Sequence, residues 1–390
     1  MLNPASIQPA AKPSGSLRYR HQAQQLLDKA DIQINGKRPW DMQIHHPLAL
    51  ERILLTGSMG LGESYMEGWW DCAQLDEFFC RVLRSGLDRR VNHTHALLQF
   101  IKSRWGNAQS VKRAWMVGRE HYDLDQALYQ NMLDPYWCYS CGYWAHADTL
   151  EQAQEAKLEL ICQKLQLRPG MRLLDIGCGW GSLMRYATRN YQVDCVGLTI
   201  SKEQAMKGAQ LDAGLPIRYE LMDYRQFNRD GKLKFDRIAS VGMFEHVGLK
   251  NHAAFFDTAS RCLAPDGLFL LHTIGKNISA TAIDPWIEHY IFPNGELPSL
   301  QELMTSVEHQ FVVEDLHNFG ADYDKTLMAW YQRFIQAWPR IQSQHSDKFF
   351  RMWKYYLLCC AGTFRARSNQ LWQLVLSPQG VHGGYRRPSL

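Results

Sequence analysis

The 390-residue sequence predicts an α/β protein in two parts, a larger one built on a parallel sheet and a smaller, mainly helical one before it. Three observations carry this reading. From about Glu151 onward, short apolar runs alternate with segments of helical periodicity, the pattern of a parallel sheet flanked by helices. A glycine run, Gly177-Cys178-Gly179-Trp180-Gly181, lies between one such strand and the helix after it. The first hundred residues lack that alternation and carry turn signals at Asn35-Gly36 and Pro47. The expected class is therefore a Rossmann-like α/β domain with a smaller helical N-terminal domain. The expected boundaries are residues 1–105, a linker at 106–118, and residues 119–390.

The elements follow in order. Residues 1 to about 15 are rich in Pro, Ala and Ser and are expected to be disordered. The run GSMGLGESYMEGWW, Gly57 to Trp70, holds several glycines but no strand-turn-helix context, which argues against a phosphate loop. A helix is expected from Gln74 to Ser85. Glu151 to Leu165 places Ala156, Leu160, Ile161 and Leu165 at helical spacing, and Pro169-Gly170 punctuates before the strand MRLLDIG. Helices are expected at 182–190, 201–213 and 251–263, with strands at 192–198, 217–222, 235–241 and 267–273. Two further helices, 324–338 and 349–366, and a last strand near 371–376 complete the chain.

Composition excludes several classes. A formal charge of +4 is too small to imply nucleic acid as a partner. No apolar run approaches the roughly 20 residues that span a bilayer, and no secretory signal pattern opens the chain, so a cytoplasmic location is expected. Cys138 and Cys141 have CxxC spacing, but no second pair or His cluster completes a zinc site, and no metal is expected. Between Arg81 and Arg119 nine basic residues face one acid, Asp88, among Leu97, Phe100, Trp105 and Trp115. Such a stretch can hold a protein against anionic headgroups; a solvated helix face explains it equally well.

The glycine run is spaced DxGxGxG, not the GxGxxG of dinucleotide binding. Directly after a strand and before a helix, it suits S-adenosylmethionine, which has no pyrophosphate. Thr199 stands where a ribose-binding acid is usual, and Gln204 one turn later can supply a substitute hydrogen bond. Asp223 and Tyr224 end the third strand, placed for the adenine amino group and ring; a surface turn is the plainer alternative. Glu245 and His246 follow the fourth strand, and His272 closes the fifth. A His ending an apolar strand is often structural, but two polar groups converging beside a methyl donor point to chemistry.

These segments, with KRAWMVGREHYDL, LDPYWCYSCGYW, LTISKEQ, DPWIEHYIFPNG, HNFGADYDKTLMAWYQRF and FRARSNQLWQ, resemble the bacterial cyclopropane-fatty-acyl-phospholipid synthases almost from end to end. The resemblance implies methyl transfer from S-adenosylmethionine to the cis double bond of unsaturated phospholipid acyl chains, with bicarbonate as the base that closes the ring. It implies a bicarbonate shell of Cys141, Glu245, His272, Ile274 and Tyr323. The implied cofactor shell is Tyr139, Ser140, Leu173, Leu174, Asp175, Ile176, Gly177, Cys178, Gly179, Trp180, Gly181, Thr199, Ile200, Ser201, Gln204, Tyr224 and Arg225. Cys360 matches a cysteine proposed as an active-site residue, although buried filler is the commoner role of a Cys on an apolar helix. A homodimer docked peripherally on the inner membrane face is implied as well, with the N-terminal domain assisting. The sequence departs from the family at Gly142, where Ala is usual, and at Ser182, where Gly is usual.

An alkene is a poor nucleophile, so the donor must be held in line with it. The cation that results can rest on aromatic faces, for which Tyr143, Trp144, Tyr290, Phe292, Tyr323 and Trp330 are candidates. The stretch DPWIEHYIFPNGELP and the helix bearing Leu327, Trp330, Tyr331, Phe334 and Trp338 are candidates for an acyl tunnel; core packing explains the helix equally well. Two other readings stand beside this one: a methyl-branched or hydroxylated product on the same fold, and a non-catalytic lipid-binding or membrane-scaffolding protein. Reversing the charges of Lys112 and Arg113 is expected to weaken liposome binding more than cofactor binding. Equal liposome binding at low salt would remove the basic stretch as a docking surface.

Overall fold

The computed structural model describes residues 14–87, 126–279 and 283–389. The proline-rich start, the linker at 106–118 and the basic stretch beyond Arg84 lie outside the described residues. The N-terminal part runs α1 (Ser14–Leu27), β1 (Gln43–Ile44), α2 (Ala49–Met66), β2 (Trp70–Asp71) and α3 (Leu75–Arg84). After α4 (Gln126–Met132) and α5 (Leu150–Lys164), strands and helices alternate: β3 (Arg172–Ile176), α6 (Ser182–Tyr191), β4 (Asp194–Thr199), α7 (Lys202–Leu211), β5 (Ile217–Leu221), β6 (Phe235–Val241), α8 (His252–Cys262) and β7 (Leu263–Lys276). The chain ends with α9 (Pro285–Tyr290), α10 (Leu300–Val307), β8 (Val312–Asn318), α11 (Ala321–Ile341), α12 (Asp347–Arg365) and β9 (Asn369–Ser377).

One seven-stranded sheet has the order β5-β4-β3-β6-β7-β9-β8. The five strands from β5 to β7 are parallel, and β9 inserts antiparallel between β7 and β8. The order reverses direction at β3, so the loop after β3 opens into the crevice where ligands bind in such sheets. Several helix starts carry side-chain caps. Thr149 and Gln152 form a reciprocal capping box on α5, Ser299 and Glu302 do so on α10, and Ser201 caps α7.

The alternating elements are where the sequence places them, within a few residues at their ends. β8 is an addition. Its VVEDLHN carries two acids and no clean apolar alternation, because it is an edge strand with Val312 and Val313 turned partly to solvent. The glycines of Gly57 to Met66 lie in α2, where helices meet closely. The helix kinks at Gly57, which holds φ 63°, and a Cβ at Gly62 would collide with the Trp286 indole.

The N-terminal elements do not keep their apolar faces to themselves. Tyr65, Trp70, Phe78 and Phe79 share one continuous core with Trp286, Trp330, Trp353 and Tyr355 from α9, α11 and α12. Two further clusters fill the two faces of the parallel sheet. Arg365 on α12 reaches Asp76 on α3 at 2.6 Å and Asp324 on α11 at 2.9 Å, tying the three helices together. Gly62→Ala is expected to cost about 1–3 kcal/mol through overpacking against Trp286. Calorimetry should show a lowered unfolding midpoint; an unchanged midpoint would mean that α2 can back away freely.

Candidate active site

A cavity opens at the C-terminal ends of β3, β4, β5 and β6. Its walls include Asp175 to Trp180 after β3, Leu198 to Ile200 and Gln204 after β4, Met222 to Arg225 after β5, and Val241 to Met243 after β6. Gly179 holds φ 53°, and a Cβ there would meet nothing within 4 Å, so the loop leaves open space for a ligand. The loop is anchored from behind: the N–H groups of Gly177 and Cys178 both donate to the Leu198 carbonyl at 2.9 Å. Arg185, paired to Asp212 at 2.5 Å, donates to the Trp180 carbonyl at 2.8 Å.

The opposite wall is Trp137, Cys138, Tyr139 and Ser140. Trp137 sits at φ 66°, a left-handed conformation that is costly for a bulky residue and that clusters at functional sites. The Tyr139 hydroxyl meets that of Tyr356 at 2.8 Å, and its ring lies 5.1 Å from that of Trp330. Burial, and then the neighbouring Tyr356, keep the Tyr139 hydroxyl protonated. Asp175 is buried with Oδ1 unpartnered, and burial, opposed by Lys157, pushes its carboxyl up to about 7. Asp223 is engaged by Arg225, whose terminal nitrogen lies 2.6 Å from it.

Of the cofactor residues expected from sequence, Tyr139, Ser140, Asp175 to Trp180, Thr199, Ile200, Gln204, Asp223, Tyr224 and Arg225 line this cavity. Leu173 and Leu174 are buried in the cores on the two sides of the sheet. Gly181 begins α6, and Ser201 caps α7 through the Gln204 N–H at 3.2 Å. The sequence reading missed Lys157, Trp137, Met243, Pro293 and Asn294, which also line it. Lys157 left a legible signal, a charge on the same face of α5 as the buried Ala153, Leu160 and Ile161.

Beside the cavity lies a second group of polar side chains. Glu245 stands in the 3₁₀ turn Phe244–His246 that follows β6. Its Oε1 accepts the Ile274 N–H at 2.7 Å, while Oε2 is buried without a partner. His272 on β7 is buried, with Nδ1 3.1 Å from the Gln373 side-chain amide and Nε2 unpartnered. Burial, with the charges of Lys157 and Lys164, holds the His272 ring neutral. Burial pushes Glu245 up to about 7. Tyr323 is buried against Phe364 and Trp330, near enough to feel Tyr356, Cys141, Glu245 and Cys360 electrostatically.

Cys141 is buried, its thiol donating to the Gly142 carbonyl at 3.2 Å, and burial keeps it protonated. Cys360 is half-buried on α12, with its thiol pushed up to about 12 by burial and then by Asp284. Of the aromatic candidates, Trp330, Tyr323 and Phe292 gather with Tyr139 and Tyr356. Tyr143 packs on His317 and Phe319, Trp144 donates to Thr326 at 2.9 Å, and Tyr290 stacks on Trp286. On α11, Leu327, Trp330 and Phe334 are fully buried.

The model of the mycolic acid cyclopropane synthetase family matches residues 109–374. The chain belongs to this cyclopropane synthetase family. It is 54% identical over 365 residues to the cyclopropane-fatty-acyl-phospholipid synthase of Escherichia coli strain K12, spanning 93% of this chain and 94% of that one. The structure of the cyclopropane synthase MmaA2 from Mycobacterium tuberculosis superposes with a TM-score of 0.63 at 34% identity, covering 67% of this chain and 97% of that one. The mycolic acid cyclopropane synthase CmaA1, solved with SAH and CTAB, gives 0.62 at 35% identity over 67% and 97% of the two chains. This family member is thus an S-adenosylmethionine-dependent methyltransferase in fold and class. Among its described residues, no helix is long and apolar enough to cross a membrane.

Glu245 yields a pH test. In the fold it holds its proton to about pH 7, against an ordinary 4.5 when unfolded. Folding therefore takes up a proton between those values, and stability falls as pH rises from 4.5 to 7, by roughly 3 kcal/mol in all. Glu245→Gln removes that loss. The variant's unfolding midpoint relative to the parent should rise between pH 5 and pH 8; a constant difference would show that Glu245 ionises normally in the fold.

Proposed function

We propose that the protein transfers the methyl group of S-adenosylmethionine to the cis double bond of unsaturated phospholipid acyl chains, and that proton loss then closes a cyclopropane ring. The observation that carries this reading is the pair of buried, unpartnered polar atoms, Glu245 Oε2 and His272 Nε2, at the ends of the neighbouring strands β6 and β7 next to the residues that line the cofactor cavity. Burying such atoms without partners is costly, so they imply a polar ligand between them.

The cofactor cavity fits the donor. Gly179 leaves room for it, Asp175 Oδ1 is an acceptor awaiting a donor, and Tyr224 with the Asp223-Arg225 pair forms a wall suited to an adenine. The donor supplies an electrophilic methyl group; positioning it is the work of the glycine loop on one side and Tyr139 on the other. Phe292, Tyr323 and Trp330 present ring faces to the positive charge that methylation leaves on the chain.

The unpartnered atoms of Glu245 and His272 suit a small oxyanion such as bicarbonate, which when bound supplies the base for the proton of the new methyl group. Glu245 Oε2, His272 Nε2 and the Tyr323 hydroxyl would hold it, with Cys141 on the wall. Ile274 acts through Glu245: its N–H fixes the carboxyl and is not free for another ligand. Both cysteines stay as thiols, and the reaction requires no thiolate. The N-terminal part, residues 1–105, is proposed to aid docking on the inner membrane face and homodimer formation, with residues 106–118 as linker.

The test incubates the protein with S-adenosylmethionine and liposomes of monounsaturated phospholipid and reads the extracted lipids by mass spectrometry. A gain of one CH₂ with loss of the olefin, stimulated by added bicarbonate, is expected. Glu245→Gln should lower ring formation by about 10²-fold or more while cofactor still binds. Cofactor consumption with a methyl-branched product would replace ring closure by the alternative fate, and near-normal turnover of the variant would remove Glu245 from the chemistry.

A further inference from the structure

Lys157 is the one lysine among the residues lining the cofactor cavity, and nothing above gives it a task. It projects from α5 and is 2% exposed. Its Nζ donates to Ser140 Oγ at 3.0 Å, and no carboxylate of the described residues lies within ion-pair distance of it. An ammonium group carries three N–H donors; beyond Ser140 Oγ the Cys138 sulfur is also within its reach and the buried Asp134 feels its charge, which leaves one donor for a ligand. Leaving a buried ammonium with a spare donor is unfavourable unless a ligand completes it.

Asp175 lines the same cavity and has the opposite shortage, a buried Oδ1 with no donor. The two are close enough for Lys157 to draw down the Asp175 carboxyl, yet they do not pair. A cavity with an unmatched cation and an unmatched acceptor is complementary to a zwitterion, a carboxylate beside an ammonium group. The amino-acid end of S-adenosylmethionine is such a zwitterion. Ser140 supplies a second hydroxyl-borne contact in the right place, because Lys157 holds its Oγ and the Gln154 amide holds its carbonyl at 2.8 Å.

We propose that Lys157, together with the Ser140 hydroxyl it holds, binds the α-carboxylate of the cofactor's amino-acid end and so selects for cofactors that retain that carboxylate. The proposal rests on the cofactor reading of this cavity given above. It assigns α5 a direct part in recognition. A decarboxylated adenosyl ligand brings an amine alone to this end of the cavity, where Lys157 repels it and nothing satisfies its spare donor.

The experiment is calorimetric titration of the full chain with two probes, S-adenosylhomocysteine and its decarboxylated counterpart S-adenosyl-3-thiopropylamine. The parent should prefer S-adenosylhomocysteine by about tenfold or more, the scale of one charge-assisted hydrogen bond. Lys157→Met should erase most of that preference by weakening S-adenosylhomocysteine alone, and Lys157→Arg should retain it. Equal affinity of the parent for the two probes overturns the proposal, as does a Lys157→Met variant that loses both equally, the signature of a packing role. Should Lys157→Met not fold, Lys157→Gln, which keeps a donor towards Ser140, is read by the same ratio. Failure of the parent to bind either probe would instead overturn the cofactor reading itself.

Discussion

The hydrogen bond from the Ile274 N–H to Glu245 Oε1 joins two neighbouring parallel strands at their C-terminal ends, and the geometry of the site follows from it. β6 and β7 pair in register, with Val241 opposite His272, so the turn after β6 leans over the end of β7. Glu245 then has a fixed carboxyl with one oxygen satisfied and the other left facing inward. Its own backbone carbonyl accepts the Glu296 N–H at 2.8 Å, which pins the segment carrying Phe292, Pro293 and Asn294 over the cavity. One residue thus links the sheet and the cover of the cofactor site.

The turn Phe244–His246 gives His246 to the lining of the cofactor cavity, while Glu245 is buried behind it. The hydroxyl pair of Tyr139 and Tyr356 forms a second junction, with Tyr139 on the cofactor wall and Tyr356 on α12. Around Glu245, Tyr323 and His272 burial raises the pKa of Glu245, Tyr323, Cys141 and Cys360 and lowers that of His272. A low-dielectric site of this kind strengthens whatever hydrogen bonds a bound anion makes.

The helix that carries Tyr356 is not self-supporting. α12 packs against α2 and α3, and the Arg351 side chain of α12 reaches the Trp70 carbonyl and Asp71 at 2.9 and 2.8 Å. The N-terminal elements therefore back the helix that presents Tyr356 and Cys360.

By itself the sequence determined the parallel sheet, the glycine loop and nearly half of the residues that line the cavity, and the sheet and loop are legible because they depend on local order: strand, loop and helix follow one another within thirty residues. Asp175, Gly177, Gly179, Gln204 and Tyr224 needed only that order to be recognised. Glu245 and His272 were legible as polar residues at strand ends, while their partners were not. Ile274 as the holder of Glu245, Gln373 as the neighbour of His272, and the insertion of β9 between β7 and β8 are contacts between residues up to about a hundred positions apart. The same holds for Lys157, whose helix face was readable but whose place in the cavity was not, and for the core shared by α2, α3 and α12. Long-range packing decides which polar atoms lose water without gaining a partner, and no periodicity in the sequence records that loss.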